Sequence, residues 1–209
     1  MVDRGGLMLQ KWKSLPIVSG VLVGINILLF LLCTIGGNLI YNMGGLDVWN
    51  TLFRGEYYRV VTAMFLHADT GHLFNNMILA FVVGSMLEKE LGHWGYGVAY
   101  FLCGIGGNVL SLLYKLRFGI TVGSIGASGA VFGLDGMLLM LVLLSGRRLI
   151  DATPVRIIGV IFLSLYSSFG MESVDNAAHV GGLITGLVIG AIASIIIRYA
   201  DKRKQNVRC

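Results

Sequence analysis

The chain has 209 residues, 56% of them hydrophobic and only 13% charged, with a mean hydropathy of +0.79. Soluble domains carry roughly 25% charged residues, so this composition excludes an ordinary water-facing surface and makes lipid the expected solvent. The net charge of +5 does not signal nucleic acid, because the basic residues sit in tails and loops that flank apolar runs.

A membrane helix needs about 20 mostly apolar residues, and six stretches qualify, near 16–36, 69–88, 94–114, 127–145, 154–170 and 177–198. Residues 1–15 form a basic N-terminal tail with no short apolar core and cleavage site of a secretory signal, so the first run reads as a retained helix. Pro16 opens the first span and Pro154 the fifth, where a missing N–H costs nothing. Asp69 and Thr70 are cap candidates for the second span. Residues 199–209 form a second basic tail. The expectation is an all-α, polytopic membrane protein: a six-helix domain over 16–198 between two short tails. Glycine, at 30 residues, fits helices that pack through small side chains. Cys33, Cys103 and Cys209 show no paired spacing, so neither a disulfide framework nor a metal site is expected.

Lys and Arg near span ends mark the cytoplasmic side. Arg4, Lys11 and Lys13, then Arg147 and Arg148, then Arg198, Lys202, Arg203, Lys204 and Arg208 all fall on one side of a six-span chain. Both termini are therefore expected in the cytoplasm. The 37–68 segment and the loops 115–126 and 171–176 lie outside. Spans two, four and six then run inward from the outer face, and each carries a reactive residue near its start: His72, Ser128 and His179. All three sit at similar depth, one or two turns below the outer surface.

Reactive side chains inside a span default to functional hypotheses. Serine becomes a nucleophile when a base takes its proton, and histidine is the usual base. Of the four histidines, His93 falls in the inner loop, whereas His179 lies among Ala177, Ala178, Gly181 and Gly182, small neighbours that allow close helix approach. His72 and Asn76 are four apart and share a helix face. With the unpaired N–H groups at the helix start around Ala127 and Ser128, they are candidate donors to an oxyanion. Blander readings stand beside these. Ser128 with Gly129 and Gly133 also makes a small-residue packing pattern, and His72 and Asn76 also serve as polar glue between helices. Asp135 lies two turns beyond Ser128 on a similar face, either paired in the bundle, protonated, or facing water. Asp175, four residues before His179, reads as a solvated loop carboxylate rather than a partner that orients the histidine.

The run Gly126-Ala127-Ser128-Gly129-Ala130-Val131-Phe132-Gly133 resembles the GxSG signature of rhomboid intramembrane proteases. Ala178-His179-Val180-Gly181-Gly182, with Gly186, is similar to that family's histidine motif, and His72 with Asn76 fits its HxxxN pattern. His67 and Glu88 also match family positions, His67 as an orderer of the outer loop. The resemblance implies a Ser128–His179 dyad, oxyanion stabilisation by His72, Asn76 and the backbone at Ala127 and Ser128, and support from Gly126, Gly129, Phe132, Gly182 and Gly186. It implies no metal or cofactor. Substrates would be single-span or polytopic membrane proteins cut near the outer face within the bilayer. Tyr58-Arg59 replaces a frequent Trp-Arg pair, with the aromatic anchoring at the interface retained. Phe132 stands where relatives place a tyrosine and offers its ring to His179 without a hydroxyl. The compact form suggests a prokaryotic inner membrane. Competing classes are an inactive rhomboid-like binding factor, which is expected to lack the serine or histidine, and a small transporter, for which no internal repeat is found.

Overall fold

The computed structural model describes residues 15–145, 154–168 and 174–208; the basic residues Arg147 and Arg148, most of the N-terminal tail and Glu172 lie outside them. Among the described residues the chain is helical, with one isolated antiparallel bridge, Leu46 to Ser124. The principal helices are α1 (Ile17–Gly36), α2 (Asn38–Gly44), α3 (Arg59–Thr62), α4 (Thr70–Phe118), α5 (Ser128–Leu144), α6 (Pro154–Ser168) and α7 (Asn176–Arg208).

α4 is two helical arms joined at Gly92, whose φ of 74° breaks the helical backbone. The arms fold back on each other: the Tyr96 hydroxyl lies against Gly84 and donates to the Ala80 carbonyl at 3.4 Å. A single glycine thus replaces the short loop expected between the second and third spans, because only a residue without Cβ takes this φ without strain. Among the described residues the apolar helical segments are α1, the two arms of α4, α5, α6 and α7. α1, α4 and α7 are each long and apolar enough to cross a membrane. α7 runs on as helix through the basic C-terminal segment.

α5 is the hub. Every residue from Gly129 to Leu139 is buried, as expected of a helix that is apolar all round. It packs against α4, α6 and α7, and α4 packs in turn on α7 and α1. The peripheral helices keep apolar side chains on their outer faces, among them Leu28 and Leu31 on α1, Phe74 and Ile78 on α4, and Ile184, Val188 and Ile192 on α7. The 4-residue spacing on α7 is one stripe of a helix turned to lipid.

Two buried polar devices fix the frame. Pro16 supplies no side-chain cap to α1. Instead the Glu88 carboxylate, buried on α4, accepts from Val18 N–H (2.8 Å), Ser19 N–H (2.9 Å) and the Ser19 hydroxyl (2.7 Å), and its Oε1 lies 2.6 Å from His93 Nδ1. These bonds satisfy N–H groups that a helix start otherwise leaves open. In the outer segment, Arg59 is buried and donates to the carbonyls of Asn42 and Gly45 (2.8 Å each) and to Glu56 (2.6 Å). Around it Trp49, Phe53, Tyr57 and Tyr58 remain exposed, the amphipathic aromatics expected at a lipid–water boundary.

Candidate active site

The site is assembled from the starts of three helices. Asp69 caps the first arm of α4 by accepting the His72 N–H at 2.8 Å. This cap places His72 in the first turn, with Asn76 one turn deeper. Gly126, in the loop before α5, has a φ of 134°, and a Cβ there would stand 2.8 Å from the His72 ring. Glycine is therefore required twice over, by backbone angle and by the imidazole above it. α5 begins at Ser128. Gly182 and Gly186 on α7 lie directly on the carbonyl groups of Gly129 and Gly133, and Gly133 also faces Cys103. With no side chains between them, the backbones of α5 and α7 touch.

That approach brings Ser128 Oγ within 2.9 Å of His179 Nε2, inside the range that proton transfer needs. For Nε2 to accept the hydroxyl proton, the neutral ring must carry its own proton on Nδ1. His179 Nδ1 is buried and has no hydrogen-bond partner among the described residues. The ring is held instead by Phe132, stacked at 4.4 Å between centroids with 25° between planes. Phe132 and Ser128 are four apart on α5, so one helix face presents both the hydroxyl and the surface on which its partner rests.

Asn76 is buried, and its amide nitrogen has no acceptor among the described residues. A buried donor without a partner is costly, and an oxyanion would satisfy it. The Ser128 N–H lies at the α5 start, where helix amides have no partner within the helix. The Ala127 N–H is different: it points at His67 Nε2, 3.5 Å away. His67 is fully buried, its ring edge lies on His72 (5.0 Å between centroids), and its carbonyl accepts the Tyr41 hydroxyl at 2.8 Å. It links the outer segment to the loop that carries Gly126 and Ala127.

Asp175 is not the solvated carboxylate expected from its loop position. It is largely buried, with Oδ2 3.1 Å from Lys115 Nζ and bonded by the hydroxyls of Ser111 and Ser124; Oδ1 accepts the Ala178 N–H at 3.0 Å. Burial alone would raise its pKa, but the Lys115 ammonium and these donors outweigh burial and hold the carboxyl below the usual range. Ser111, Ser124 and Lys115 had no distinguishing local pattern; the only hint was an acid and a base both placed at outer helix ends. Asp135 is buried two turns below Ser128. Cys33 and Cys103 are buried thiols. Among the described residues no group of His, Cys, Asp and Glu is arranged to hold a metal ion.

A serine hydroxyl hydrogen-bonded to a histidine, with the buried Asn76 amide donor beside it, is chemically suited to acyl transfer. Comparison with known proteins gives the matching lineage. The family model of the Rhomboid domain matches residues 54–196, a range that holds all of these groups. The chain is 34% identical over 165 residues to RHOMBOID-like protein 4 of Arabidopsis thaliana, covering 78% of this chain and 41% of that protein. It is 37% identical over 153 residues to the mitochondrial RHOMBOID-like protein 6 of the same plant, covering 72% and 48%. To Rhomboid protease GluP of Bacillus subtilis (strain 168) it is 30% identical over 182 residues, covering 84% of this chain and 34% of GluP. The chain thus spans less than half the length of these relatives, yet the match runs across most of its own helices: it is an all-helical, polytopic membrane protein that belongs to the rhomboid family.

Proposed function

We propose that the chain is an intramembrane serine endopeptidase that cleaves membrane-spanning segments of other proteins near the outer face of the bilayer. The observation that carries this reading is the 2.9 Å contact between Ser128 Oγ and His179 Nε2 at the meeting of two glycine-faced helices. Similarity to a bacterial protein named as a rhomboid protease supports it.

In this mechanism His179 Nε2 takes the Ser128 proton as Oγ attacks the scissile carbonyl carbon. The C–O bond forms while the carbonyl electron pair moves onto oxygen. That oxyanion is met by the Ser128 N–H and by His72 and Asn76; the Ala127 N–H joins them only by leaving His67. The imidazolium then gives its proton to the departing amide nitrogen as the C–N bond breaks, leaving an acyl-serine. Water, deprotonated by the same ring, attacks the ester and returns Ser128. Phe132 keeps the ring in plane throughout, while Gly126, Gly129, Gly182 and Gly186 set the spacing. A substrate helix has its peptide groups bonded internally, so it must unwind locally to offer a carbonyl to Ser128, and helix-breaking residues near its outer end favour cleavage. We place both termini in the cytoplasm, the 16–198 segment in a prokaryotic inner membrane, and the active site opening to the outer side.

The test is incubation of the purified protein with a single-span substrate, alongside Ser128→Ala and His179→Ala, with fluorophosphonate labelling of the serine. Cleavage and labelling by the wild type alone support the dyad. Undiminished cleavage by Ser128→Ala refutes it, and ion flux in vesicles without cleavage favours transport.

A further inference from the structure

We infer that Asp175 is a positioning residue for the Ser128–His179 pair, acting through a buried ion pair with Lys115 that ties the start of α7 to the loop entering α5. This rests on the dyad reading and adds to it a device outside the hydroxyl and the imidazole.

The argument is one of connectivity. Asp175 stands four residues before His179, and Ser124 stands four residues before Ser128. The two are joined directly, since the Ser124 hydroxyl bonds the Asp175 carboxylate. Lys115 Nζ, from the end of the second arm of α4, reaches both the Asp175 carboxylate (3.1 Å) and the Ser124 hydroxyl, while Ser111, one turn earlier, bonds the same carboxylate oxygen. Each partner is in turn fixed to its own backbone. Asp175 caps α7 through Ala178 N–H (3.0 Å), and its carbonyl accepts His179 N–H at 3.2 Å. Ser124 exchanges both backbone bonds with Leu46 (2.9 and 2.8 Å), and two residues on Gly126 N–H donates to Ala63 (2.9 Å). Serine and histidine thus each follow, by four residues, a member of one common anchor.

The carboxylate does not touch the imidazole, whose Nδ1 has no described partner. Asp175 therefore does not orient the ring as the acid of a triad does. It fixes where the helix carrying the ring begins. Removing one member of a buried pair leaves the other charge uncompensated, so Lys115 and Asp175 should behave as a unit. A displacement of about 1 Å at a reacting pair costs on the order of 100-fold in rate, and the dyad contact has little slack at 2.9 Å.

The experiment uses the purified full chain in lipid. It compares wild type, Asp175→Asn, Asp175→Ala, Lys115→Met, Lys115→Arg and the double variant Lys115→Met/Asp175→Asn, with Ser128→Ala as blank. Readouts are kcat and KM on a single-span substrate, the fluorophosphonate labelling rate of Ser128, and thermal unfolding. Asp175→Ala is expected to lower kcat and the labelling rate about 100-fold, with KM within about twofold, in protein still folded at the assay temperature. Asp175→Asn keeps an acceptor for Ala178 N–H and should lose less. Lys115→Arg should recover most of what Lys115→Met loses, and the double variant should be no slower than the worse single one. Should Asp175→Ala fail to fold, the neutral double variant and Lys115→Arg carry the comparison. Wild-type kcat and labelling in folded Asp175 variants overturn the inference, as do losses that only track the unfolded fraction. If the wild type labels no better than Ser128→Ala, the dyad reading itself falls, and the inference with it.

Discussion

Gly182→Ala tests the helix contact on which the site is built. A Cβ at residue 182 would stand 2.7 Å from the Gly129 carbonyl carbon and 3.1 Å from its Cα, with the carbonyl oxygen closer still. Ordinary carbon contacts lie at about 3.5–4.0 Å, so α5 and α7 must part by roughly 1 Å. The obstacle is backbone, and no side-chain rotation relieves it. Overpacking of this kind costs about 1–3 kcal/mol. His179 sits three residues earlier on the same face, so its 2.9 Å contact with Ser128 should open to about 3.9 Å, past hydrogen-bond reach. The expected outcome is a lower unfolding temperature and about 100-fold slower labelling and cleavage. Gly186→Ala meets the Gly133 backbone in the same way, but two turns from His179. It should lose comparable stability and less rate. The two rates together with the two unfolding temperatures check the geometry. A Gly182→Ala protein with wild-type unfolding and wild-type labelling would refute a direct backbone contact.

Asn76→Ala removes a buried donor without a described partner; under the proposed oxyanion role kcat should fall about 100- to 1000-fold with KM little changed, and an unchanged kcat would return Asn76 to helix packing. Glu88→Gln keeps shape but loses the charge that four groups share, and at about 2 kcal/mol for bonds to a charged acceptor the unfolding temperature should drop by about 4–8 °C, with labelling retained below that temperature. Asp175 has a depressed folded pKa, so its contribution is present above the unfolded value near ~3.9 and is lost as pH falls through the lower folded value. The stability gap between wild type and Asp175→Asn should therefore be full at pH 7 and close only in acid below about 4, as read by unfolding across pH.

The features legible in sequence were those carried by one helix at a time. The apolar runs located the helices. The i, i+4 spacing of His72 and Asn76 put them on one face, and the small residues around His179, Gly182 among them, pointed to a close approach of the sixth span to the fourth. The place of Phe132 against His179 was read from the family resemblance, and the two rings stack in the structure. The features that stayed hidden depend on partners far apart in the chain. Asp175 looked like a surface loop acid because Ser111, Lys115 and Ser124, its ligands, are some 50 to 65 positions away. Arg59 carried no mark of burial, since its acceptors are backbone carbonyls, which every residue has. The commitment of the Ala127 N–H to His67 follows from how the outer segment folds over α5, which no local pattern encodes. Gly92 was one glycine among 30, and only the return of the α4 arms shows why it is there.

The capping of α1 by Glu88 bears on how the protein is made. The amide groups of Val18 and Ser19 are synthesised 70 and 69 residues ahead of the carboxylate that receives them. During biogenesis these amides therefore cannot reach the Glu88 carboxylate until the chain has been translated past residue 88 and the second span lies alongside the first. The final seating of the first helix is to that extent a late event.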